Sequence, residues 1–340
     1  MLFSGRMEEL VKQVGFLMLA VLVLGFSGPL HAQEGVQESA QGRQRLVANS
    51  LSGSLLEVHF LDVGQGDAIY IRTPGEKHYL VDTGTRGARR KIIPYLKYLK
   101  VEKLSGVLIT HSHLDHAGSL YYLADAFPIE TIYSSGYFHG GSHNKKTLAR
   151  LKEKKIPMKV LRGGDVLEWE KDVKVNVYHP PKDWSGNMED PNNMSVVVRL
   201  SYKDIDFLLT GDAEKHSEKE ILKHKYELKS EFLKVGHHGS ETSSYATFLD
   251  TVQPLFAVIS CGEGNKFKHP HQDTLDKLRA RDVTILRTDQ NGTIGVYTDG
   301  KRLMIKIKGK DWQPVSILFR LLRPGDRALF VMKKGGVYVC

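Results

Sequence analysis

Short apolar runs, separated by glycine and polar turns, follow one another along the chain from residue 55 onwards. Runs rich in β-branched and aromatic residues predict strands, and longer segments with an apolar stripe at helical spacing predict helices. The two kinds of element alternate through two similar halves, which favours an α/β fold with helices outside two central sheets, an αββα sandwich. The predicted strands are 55–63, 68–73, 79–82, 106–110, 173–178, 195–201, 207–210, 231–235, 256–260 and 283–287, and the predicted helices are 88–100, 118–126, 145–155, 214–225, 245–251 and 272–281.

The beginning of the chain has a different pattern. An apolar run over 14–30 follows a short segment that carries Arg6 and Lys12. This predicts a secretory signal peptide or an N-terminal anchor over residues 1–32, and the alternative is a buried helix. The polar stretch 33–54 predicts a flexible linker. We therefore expect the domain that follows to be secreted or periplasmic, and to be held at the outer face of the membrane if the segment is retained.

Composition narrows the class of protein. With 340 residues, 41% of them hydrophobic and 26% charged, the chain matches an ordinary globular protein rather than a disordered or fibrous one. Its two cysteines are too few for a disulfide framework or a cysteine zinc site, so His, Asp and Glu must hold any metal. The formal net charge is +9, with a basic C-terminal extension over 301–340. This balance fits either a polyanionic partner or a soluble surface.

The densest group of metal-competent side chains follows the predicted strand 106–110, in the stretch THSHLDHAG. His111 and His113 lie two residues apart, so both point the same way along an extended chain and can reach one ion. Asp115 and His116, at the turn into a helix, can reach a second ion. The pattern predicts a dinuclear site in which a hydroxide lies between two cations.

Further ligands are expected downstream, because each ion needs three or four protein ligands. Asp212 ends a hydrophobic strand and is placed to bridge both ions. The pair His237 and His238 ends another strand, and one of the two would complete the second ion's shell. Asp82 ends a third strand, from which its carboxylate could orient ligands.

Taken in order, the motifs of this chain resemble those of the metallo-β-lactamase superfamily, and most of all the hydrolase domain of ComEC-type competence proteins and stand-alone secreted relatives. The resemblance covers residues 55–300 and implies a hydrolase domain with the αββα fold of that superfamily. The motifs that carry it are FLDVGQGDA from Phe60, VDTG from Val81, HSHLDHAG from His111, LTGD from Leu209, KVGHHGS from Lys234 and KHPH from Lys268.

The resemblance also implies roles for individual residues. The metal ligands would be His111, His113, Asp115 and His116, with Asp212 bridging and His237 or His238 completing the site. Asp115 would orient the hydroxide and take its proton, and Asp82 is similar to the superfamily's structural carboxylate. His269 is similar to the late histidine that contacts the scissile phosphate or the leaving group in nuclease relatives; the alternative is a helix-start residue without a role.

One position departs from the superfamily pattern. Most members have a histidine some twenty residues before the bridging aspartate, whereas this chain, like ComEC-type sequences, has asparagine there, at Asn193. An amide oxygen is a harder and weaker ligand than imidazole, so the first ion is expected to be loosely held or to be manganese rather than zinc. The cofactors expected are therefore two divalent ions, zinc or manganese. His179 is an alternative ligand.

The predicted function is that of an exported metal-dependent hydrolase that uses a metal-bridged hydroxide on phosphodiesters, DNA among them, and needs no nucleotide cofactor. Membrane contact is expected only through the N-terminal segment. The basic charge and the loop 136–146 support a phosphodiester substrate. Two alternatives remain: hydrolysis of a small ester, lactone, β-lactam or phosphocholine group, and a non-catalytic, metal-bound accessory module for DNA uptake.

Overall fold

A computed structural model describes residues 54–184 and 190–308, together with the backbone of three later strands. The predicted signal or anchor segment 1–32 and nearly all of the predicted linker lie outside these residues. No helix in the described part of the chain is both long and apolar enough to cross a membrane.

Two mixed sheets form the centre of the fold. The first has nine strands in the order β16-β15-β14-β1-β2-β3-β4-β5-β6, and the second has seven in the order β13-β12-β11-β10-β9-β8-β7. The nine strands are β1 Leu56–Phe60, β2 Ile69–Arg72, β3 His78–Val81, β4 Gly106–Ile109, β5 Ile132–Ser134, β6 Met158–Val160, β14 Ile294–Thr298, β15 Arg302–Lys308 and β16 Pro314–Arg320. The seven are β7 Val166–Glu170, β8 Val173–His179, β9 Val197–Tyr202, β10 Ile205–Leu209, β11 Phe232–Lys234, β12 Phe256–Ile259 and β13 Thr284–Arg287.

Eight α-helices are described. They are α1 Arg89–Tyr98, α2 Leu114–Ala117, α3 Leu120–Ala126, α4 Ser142–Glu153, α5 Lys215–Lys223, α6 Ala246–Val252, α7 Gln272–Arg279 and α8 Thr288–Asn291. The predicted helix 118–126 is α3 in the structure, and a separate short helix before it, α2, carries Asp115 and His116.

Three apolar layers hold the sandwich together. Inward residues of both sheets form the middle layer, where the ring of Tyr79 stacks on that of Trp169 at 3.8 Å between centroids. A second layer lies between the nine-stranded sheet and the helices that carry Leu96, Leu123 and Leu151. A third lies between the seven-stranded sheet and α5, α6 and α7. Helices therefore cover the outer face of each sheet, and the predicted αββα sandwich is confirmed.

Strand direction decides where loops can meet. β3, β4, β5 and β6 pair in parallel within one sheet, and β10, β11, β12 and β13 do so within the other. The carboxyl ends of parallel strands lie on one edge of a sheet, which is where ligands bind in α/β proteins. The loops after β3, β4, β10 and β11 are those in which the sequence places the site residues.

The later part of the chain adds to the same sheet. β15 pairs with β14, and β16 pairs with β15, so the nine-stranded sheet continues past residue 300, where the sequence places the start of the basic extension. Two further strands, Phe330–Lys333 and Gly336–Val339, form a separate antiparallel hairpin.

Candidate metal centre

Four buried side chains from both sheets meet at one point. They belong to Asp67, His116, Asp212 and His238, and each offers a ligand atom that lies within 4.8 Å of the other three. We call this group the Asp/His cluster. Asp67 and His116 come from turns of the nine-stranded sheet, whereas Asp212 and His238 follow β10 and β11 of the other sheet.

Asp212 lies between the histidines of this cluster. Its Oδ2 atom is 3.0 Å from Nε2 of His116, 3.4 Å from Nε2 of His238 and 3.8 Å from Nε2 of His111. The carboxylate is almost completely buried, at 2% exposure. A single carboxylate oxygen facing three imidazole nitrogens is the geometry that the predicted bridging role requires.

Asp82 fixes the ring of His116 from behind. Its Oδ2 is 2.8 Å from Nδ1 of His116, and its two oxygens also accept hydrogen bonds from the backbone and hydroxyl of Thr110, at 2.8 and 2.7 Å. Nδ1 of His116 therefore faces Asp82, and Nε2 of the same ring faces the cluster. A carboxylate behind a histidine is the usual way in which proteins orient a metal-ligating imidazole.

The structure separates the two neighbouring histidines of the predicted pair. His238 turns into the cluster, with Nδ1 bonded to the Ser260 carbonyl at 2.9 Å. His237 points away: its Nδ1 is 2.9 Å from Oε1 of Glu214, and its side chain is 24% exposed. Of the two, His238 is therefore the one in a position to complete a metal shell.

The remaining residues of the HSHLDH stretch surround Asp212. His111 is buried, and its Nε2 lies 3.1 Å from Nδ1 of the half-buried His113. Asp115 has Oδ2 at 3.4 Å from Nε2 of His238, and 29% of its side chain is exposed. The stretch thus supplies a second group of donor atoms next to the Asp/His cluster, and Asp115 is its solvent-facing carboxylate.

Asn193, expected as the replacement ligand, makes other contacts. Its Oδ1 accepts a hydrogen bond from the hydroxyl of Ser217 at 2.8 Å, and its Nδ2 faces Glu214 at 3.5 Å. Among the described contacts of this amide, none is with the cluster. The turn Pro191–Met194, which the carboxylate of Asp190 caps, directs the side chain toward α5.

The other two histidines named from the sequence lie at different depths. His179 is completely buried and bonds the Ser195 carbonyl through Nδ1 at 2.9 Å, so it does not join the cluster. Burial lowers the pKa of His179 to about 4. The ring of His269 is 5.4 Å from that of His237 and 6.2 Å from that of His238, and its Nδ1 has no hydrogen-bond partner. Burial, with His237 and His238 adding to it, lowers the pKa of His269 to about 4, so the ring is neutral at pH 7.

Lys234 and Asp67 are two buried charges of the site for which the sequence motifs predict no role. Nζ of Lys234 lies 2.8 Å from Oδ2 of Asp67, and both side chains are at most 1% exposed. The sequence offers one indication of this pair: Lys234 lies in the apolar strand Phe232–Lys234, and a charge in a buried strand needs a buried acid as its partner. Asp67 also supports residues 111–118, which we call the metal loop, since its backbone N–H donates to the Asp115 carbonyl at 3.1 Å.

Gly66 allows that close approach. Its φ is 129°, and a Cβ at this position would come within 2.3 Å of the Asp115 carbonyl oxygen. A residue with a side chain would therefore force the loop that carries Asp115 and His116 away from Asp67.

The histidines and aspartates of the cluster shift each other's pKa values toward the charged forms. Burial alone would lower the pKa of His116, but the carboxylates of Asp212 and Asp82 raise it well above its usual value. Conversely, burial would raise the pKa of Asp212, yet His116 and His238 hold it well below its usual value. Burial and the neighbouring His116 both lower the pKa of His111, which leaves that imidazole neutral, the form that binds metals.

The donor set fits divalent metal ions. It consists of imidazole nitrogens and carboxylate oxygens, which are ligands of zinc and manganese. Buried polar atoms that face inward have no hydrogen-bond partner in the described structure, among them Oδ1 of Asp212 and Nε2 of both His116 and His238. Because unpaired buried polar atoms are costly, a cation among them would stabilise the site.

The sequence matches the metallo-beta-lactamase superfamily over residues 61–263, which is more than half of the chain and includes the whole Asp/His cluster. The chain belongs to the metallo-beta-lactamase superfamily. The fold and the buried His/Asp set of this superfamily member are those of a metal-dependent hydrolase.

Two curated relatives of this superfamily member are competence proteins. The chain is 32% identical over 255 residues to ComE operon protein 3 of Bacillus subtilis (strain 168), an alignment that covers 70% of this chain and 32% of that protein. It is 30% identical over 237 residues to Competence protein ComA of Neisseria gonorrhoeae, covering 68% of this chain and 31% of that protein. The chain thus spans about a third of the length of these relatives. The resemblance to ComEC-type competence proteins is confirmed.

Among solved structures, the chain is similar to the metallo-beta-lactamase fold protein YhfI from Bacillus subtilis. The TM-score is 0.45 with 12% sequence identity, and the match covers 68% of this chain and 95% of that one.

Proposed function

We propose that this chain is an exported metal-dependent hydrolase that cleaves phosphodiesters, with DNA as the expected polymer. The observation that carries the proposal is the position of Asp212, whose single oxygen faces His111, His116 and His238 inside a buried pocket of opposite charges. A binding protein has no need of a carboxylate shared between two groups of imidazoles, whereas hydrolysis by two metal ions does.

The residues that would hold two divalent ions, zinc or manganese, are His111 and His113 on one side and Asp115, His116 and His238 on the other, with Asp212 shared. Such ions supply a nucleophile at neutral pH by lowering the pKa of bound water, and they polarise the substrate oxygen. The Asn193 amide, which is engaged with Ser217, is left out of this set.

The chain's own residues would orient the attacking water and form hydrogen bonds to the substrate. Burial raises the pKa of Asp115, but the neighbouring His238 and the charge of His116 hold it well below its usual value, so this half-buried side chain is a carboxylate at pH 7. It can accept a hydrogen bond from the attacking water and orient it. The neutral ring of His269, at the edge of the site, can donate a hydrogen bond to a substrate oxygen.

Three facts support a phosphodiester over an amide or ester. The chain has a net charge of +9. Its curated relatives include one named as a competence protein. Its motifs resemble those of the ComEC-type hydrolase domain throughout.

The proposal that the chain is exported has separate support. An apolar run over 14–30 follows a short segment that carries Arg6 and Lys12, the pattern of a secretory signal.

The substrate class can be tested with the full chain, stripped by chelator and reconstituted separately with Zn²⁺ and Mn²⁺. A chromogenic phosphodiester, linear DNA and a chromogenic β-lactam are offered in parallel. We expect turnover of the two phosphodiesters, reduced more than about 100-fold by His113→Ala and unchanged by His224→Ala, an exposed histidine outside the site. Turnover of the β-lactam alone would assign amide chemistry, and metal binding without any turnover would favour an accessory module.

A further inference from the structure

A cavity of about 320 Å³ lies beside the metal loop and takes no part in the site described above. We call it the basic cavity. It is lined by Arg86, Tyr121, Tyr122, Ser142, His143 and Lys146.

The basic cavity is built from the loops that flank the metal loop. Arg86 follows β3, the metal ligands follow β4, and Ser142 follows β5, so the three segments share the carboxyl edge of parallel strands. Ligands in α/β proteins bind along this edge. The cavity and the metal centre are therefore neighbours on one edge of the sheet.

Direct contacts tie the walls of the cavity to the metal loop. Nε2 of His143 donates to the carbonyl of Gly118 at 2.9 Å, two residues after His116. A Cβ at Gly118 would lie 2.6 Å from the backbone nitrogen of Arg86. Next to His143 in the chain, Nδ2 of Asn144 donates to the carbonyl of Ser112 at 2.9 Å. A group bound in the cavity would consequently be held at a fixed place relative to the metal ligands.

The charge of the cavity is uncompensated. Its lining includes no Asp or Glu, and in the described part of the chain neither Arg86 nor Lys146 has an acidic partner at ion-pair distance. Two cations a few residues further along the chain do have one: Arg150 pairs with Asp125 at 3.1 Å, and Lys91 pairs with Asp62 at 3.4 Å. Two unpaired cations facing one cavity repel each other unless an anion lies between them.

The lining selects the class of anion. Guanidinium and ammonium groups are donors only, and hydroxyl groups of Ser142 and the two tyrosines add further donors, a combination that suits phosphate oxygens. Cations already lie over the tyrosine rings: Arg89 is 4.2 Å from the centroid of Tyr122, and Arg150 is 5.4 Å from that of Tyr121. These contacts occupy a face of each ring, which favours a phosphate over a stacked base.

We propose that the basic cavity binds a phosphate group of a polymeric phosphodiester, next to the phosphate that is positioned for cleavage at the metal centre. This inference rests on the proposed function, since it names the part of the substrate that lies outside the reacting bond. The cavity would favour a nucleic-acid strand over a small diester by holding the strand at a second phosphate.

The test compares two double variants of the full chain with equal loss of charge. Arg86→Gln with Lys146→Gln removes the cations of the cavity, whereas Arg90→Gln with Lys152→Gln removes two exposed cations of α1 and α4 that do not line it. Binding of a non-cleavable phosphorothioate oligonucleotide is measured over a range of salt concentrations. We expect the cavity variant to bind about tenfold more weakly at low salt, and the slope of log K against log salt to fall in magnitude by roughly 1. The control variant should stay close to wild type.

A parallel arm measures binding of inorganic phosphate, since free phosphate shares the same chemistry. If phosphate binding is lost in the cavity variant while its oligonucleotide slope matches the control, the ligand is free phosphate and the inference is overturned. Equal slopes for both double variants overturn it as well. If the cavity variant shows the predicted loss but metal-loaded wild type cleaves no phosphodiester, the cavity stands as a phosphate site and the proposed hydrolysis fails.

Discussion

At the scale of single residues, Asp82 shows how the chain holds a metal ligand without touching the metal. The residue has a φ of 60°, a backbone conformation that Asn tolerates as well as Asp, so Asp82→Asn should leave the fold intact. The amide carries no charge toward Nδ1 of His116 and has a single oxygen for the bonds that two oxygens now accept.

We expect Asp82→Asn to weaken metal binding about 10- to 100-fold, measured by competition with a chromogenic chelator. Asp125→Asn, in an exposed ion pair with Arg150, serves as the control. Equal metal affinity in both variants would contradict the orienting role of Asp82.

Lys234 illustrates a different kind of residue, a buried charge with a structural partner. Removing it takes away the nearest cation of Asp67, which is 1% exposed, and leaves only His238 at 3.4 Å and His116 at 4.0 Å near that carboxylate. We expect Lys234→Met to lower the free energy of unfolding of the metal-free chain by about 3–5 kcal/mol, measured by urea denaturation. Adding Asp67→Asn should restore part of that loss. Lys91→Met, which breaks the exposed pair with Asp62, should cost less than about 1 kcal/mol. Similar losses for the two lysine variants would refute the argument.

The ligands and the supports of this site differ in how readily the sequence predicts them. His111, His116 and Asp212 follow apolar strands, and such positions bring side chains to the sheet edge. Asn193 was placed by analogy of spacing, yet the local turn directs its amide to Ser217. Which of His237 and His238 enters the site depends on the turn Gly236–Gly239, where both have positive φ, and residue type alone does not indicate this.

At the scale of elements, α5 and α6 are joined by a buried acid. The two oxygens of Glu218 accept hydrogen bonds from the backbone N–H groups of Ser244 and Tyr245, at 2.8 and 2.7 Å. Burial raises the pKa of Glu218 to about 7, although these hydrogen bonds lower it. Because the folded chain holds this proton more tightly than the unfolded chain, the stabilisation is complete below pH 4.5 and is lost as the pH rises to about 7.

We therefore expect Glu218→Gln to remove a component of the pH dependence of stability. Between pH 5 and 8 the wild type should lose on the order of 3 kcal/mol relative to the variant. Urea denaturation at both pH values measures the difference, in which titration of other groups cancels. If the difference between the two proteins stays constant with pH, the carboxyl group is not protonated in the folded chain.

The helices and strands with strong periodicity were predicted within a few residues of their observed ends. Before residue 300 the sequence does not predict the strands β5, β6, β7 and β14, and two of these have only three residues, where alternation is too short to detect. The strands after residue 300 are not predicted either. β6 is also exposed along its whole length, so it lacks the buried apolar side that would have revealed it. Pairing with a neighbouring strand, rather than local pattern, defines such elements.

At the scale of the whole molecule, the Asp/His cluster joins the two sheets. Asp67 and His116 lie on the side of the nine-stranded sheet, and Asp212 and His238 follow strands of the seven-stranded one, so a metal ion bound by His116, Asp212 and His238 would link the two halves of the sandwich. The alternation of strands and helices predicts the sandwich itself, because both apolar faces of each sheet must be buried, one against the other sheet and one against helices. Contacts between the halves, such as that of Lys234 with Asp67, join residues that are far apart in the chain, so local sequence patterns do not predict them.

A ligand that binds only the folded chain stabilises it by mass action. With metal at about 1,000 times its dissociation constant, we expect the free energy of unfolding to rise by about 4 kcal/mol, measured by denaturation with and without chelator. Asp212→Asn should abolish this increment, while Asp289→Asn, which lies in a separate pair with Arg287, should keep it. An unchanged stability on metal saturation would mean that the cluster does not bind metal across the sheets.

The most direct test of the account is to titrate the metal-stripped full chain with Mn²⁺ or Zn²⁺ and follow bound metal and phosphodiester hydrolysis in the same samples. We expect hydrolysis to rise with bound metal and to reach its plateau at the same stoichiometry. Asp212→Asn should lose both metal and hydrolysis, by about 100-fold or more in rate. Hydrolysis by the stripped chain, or a variant that loses its metal but keeps its rate, would contradict the central claim that this buried Asp/His set is the hydrolytic centre.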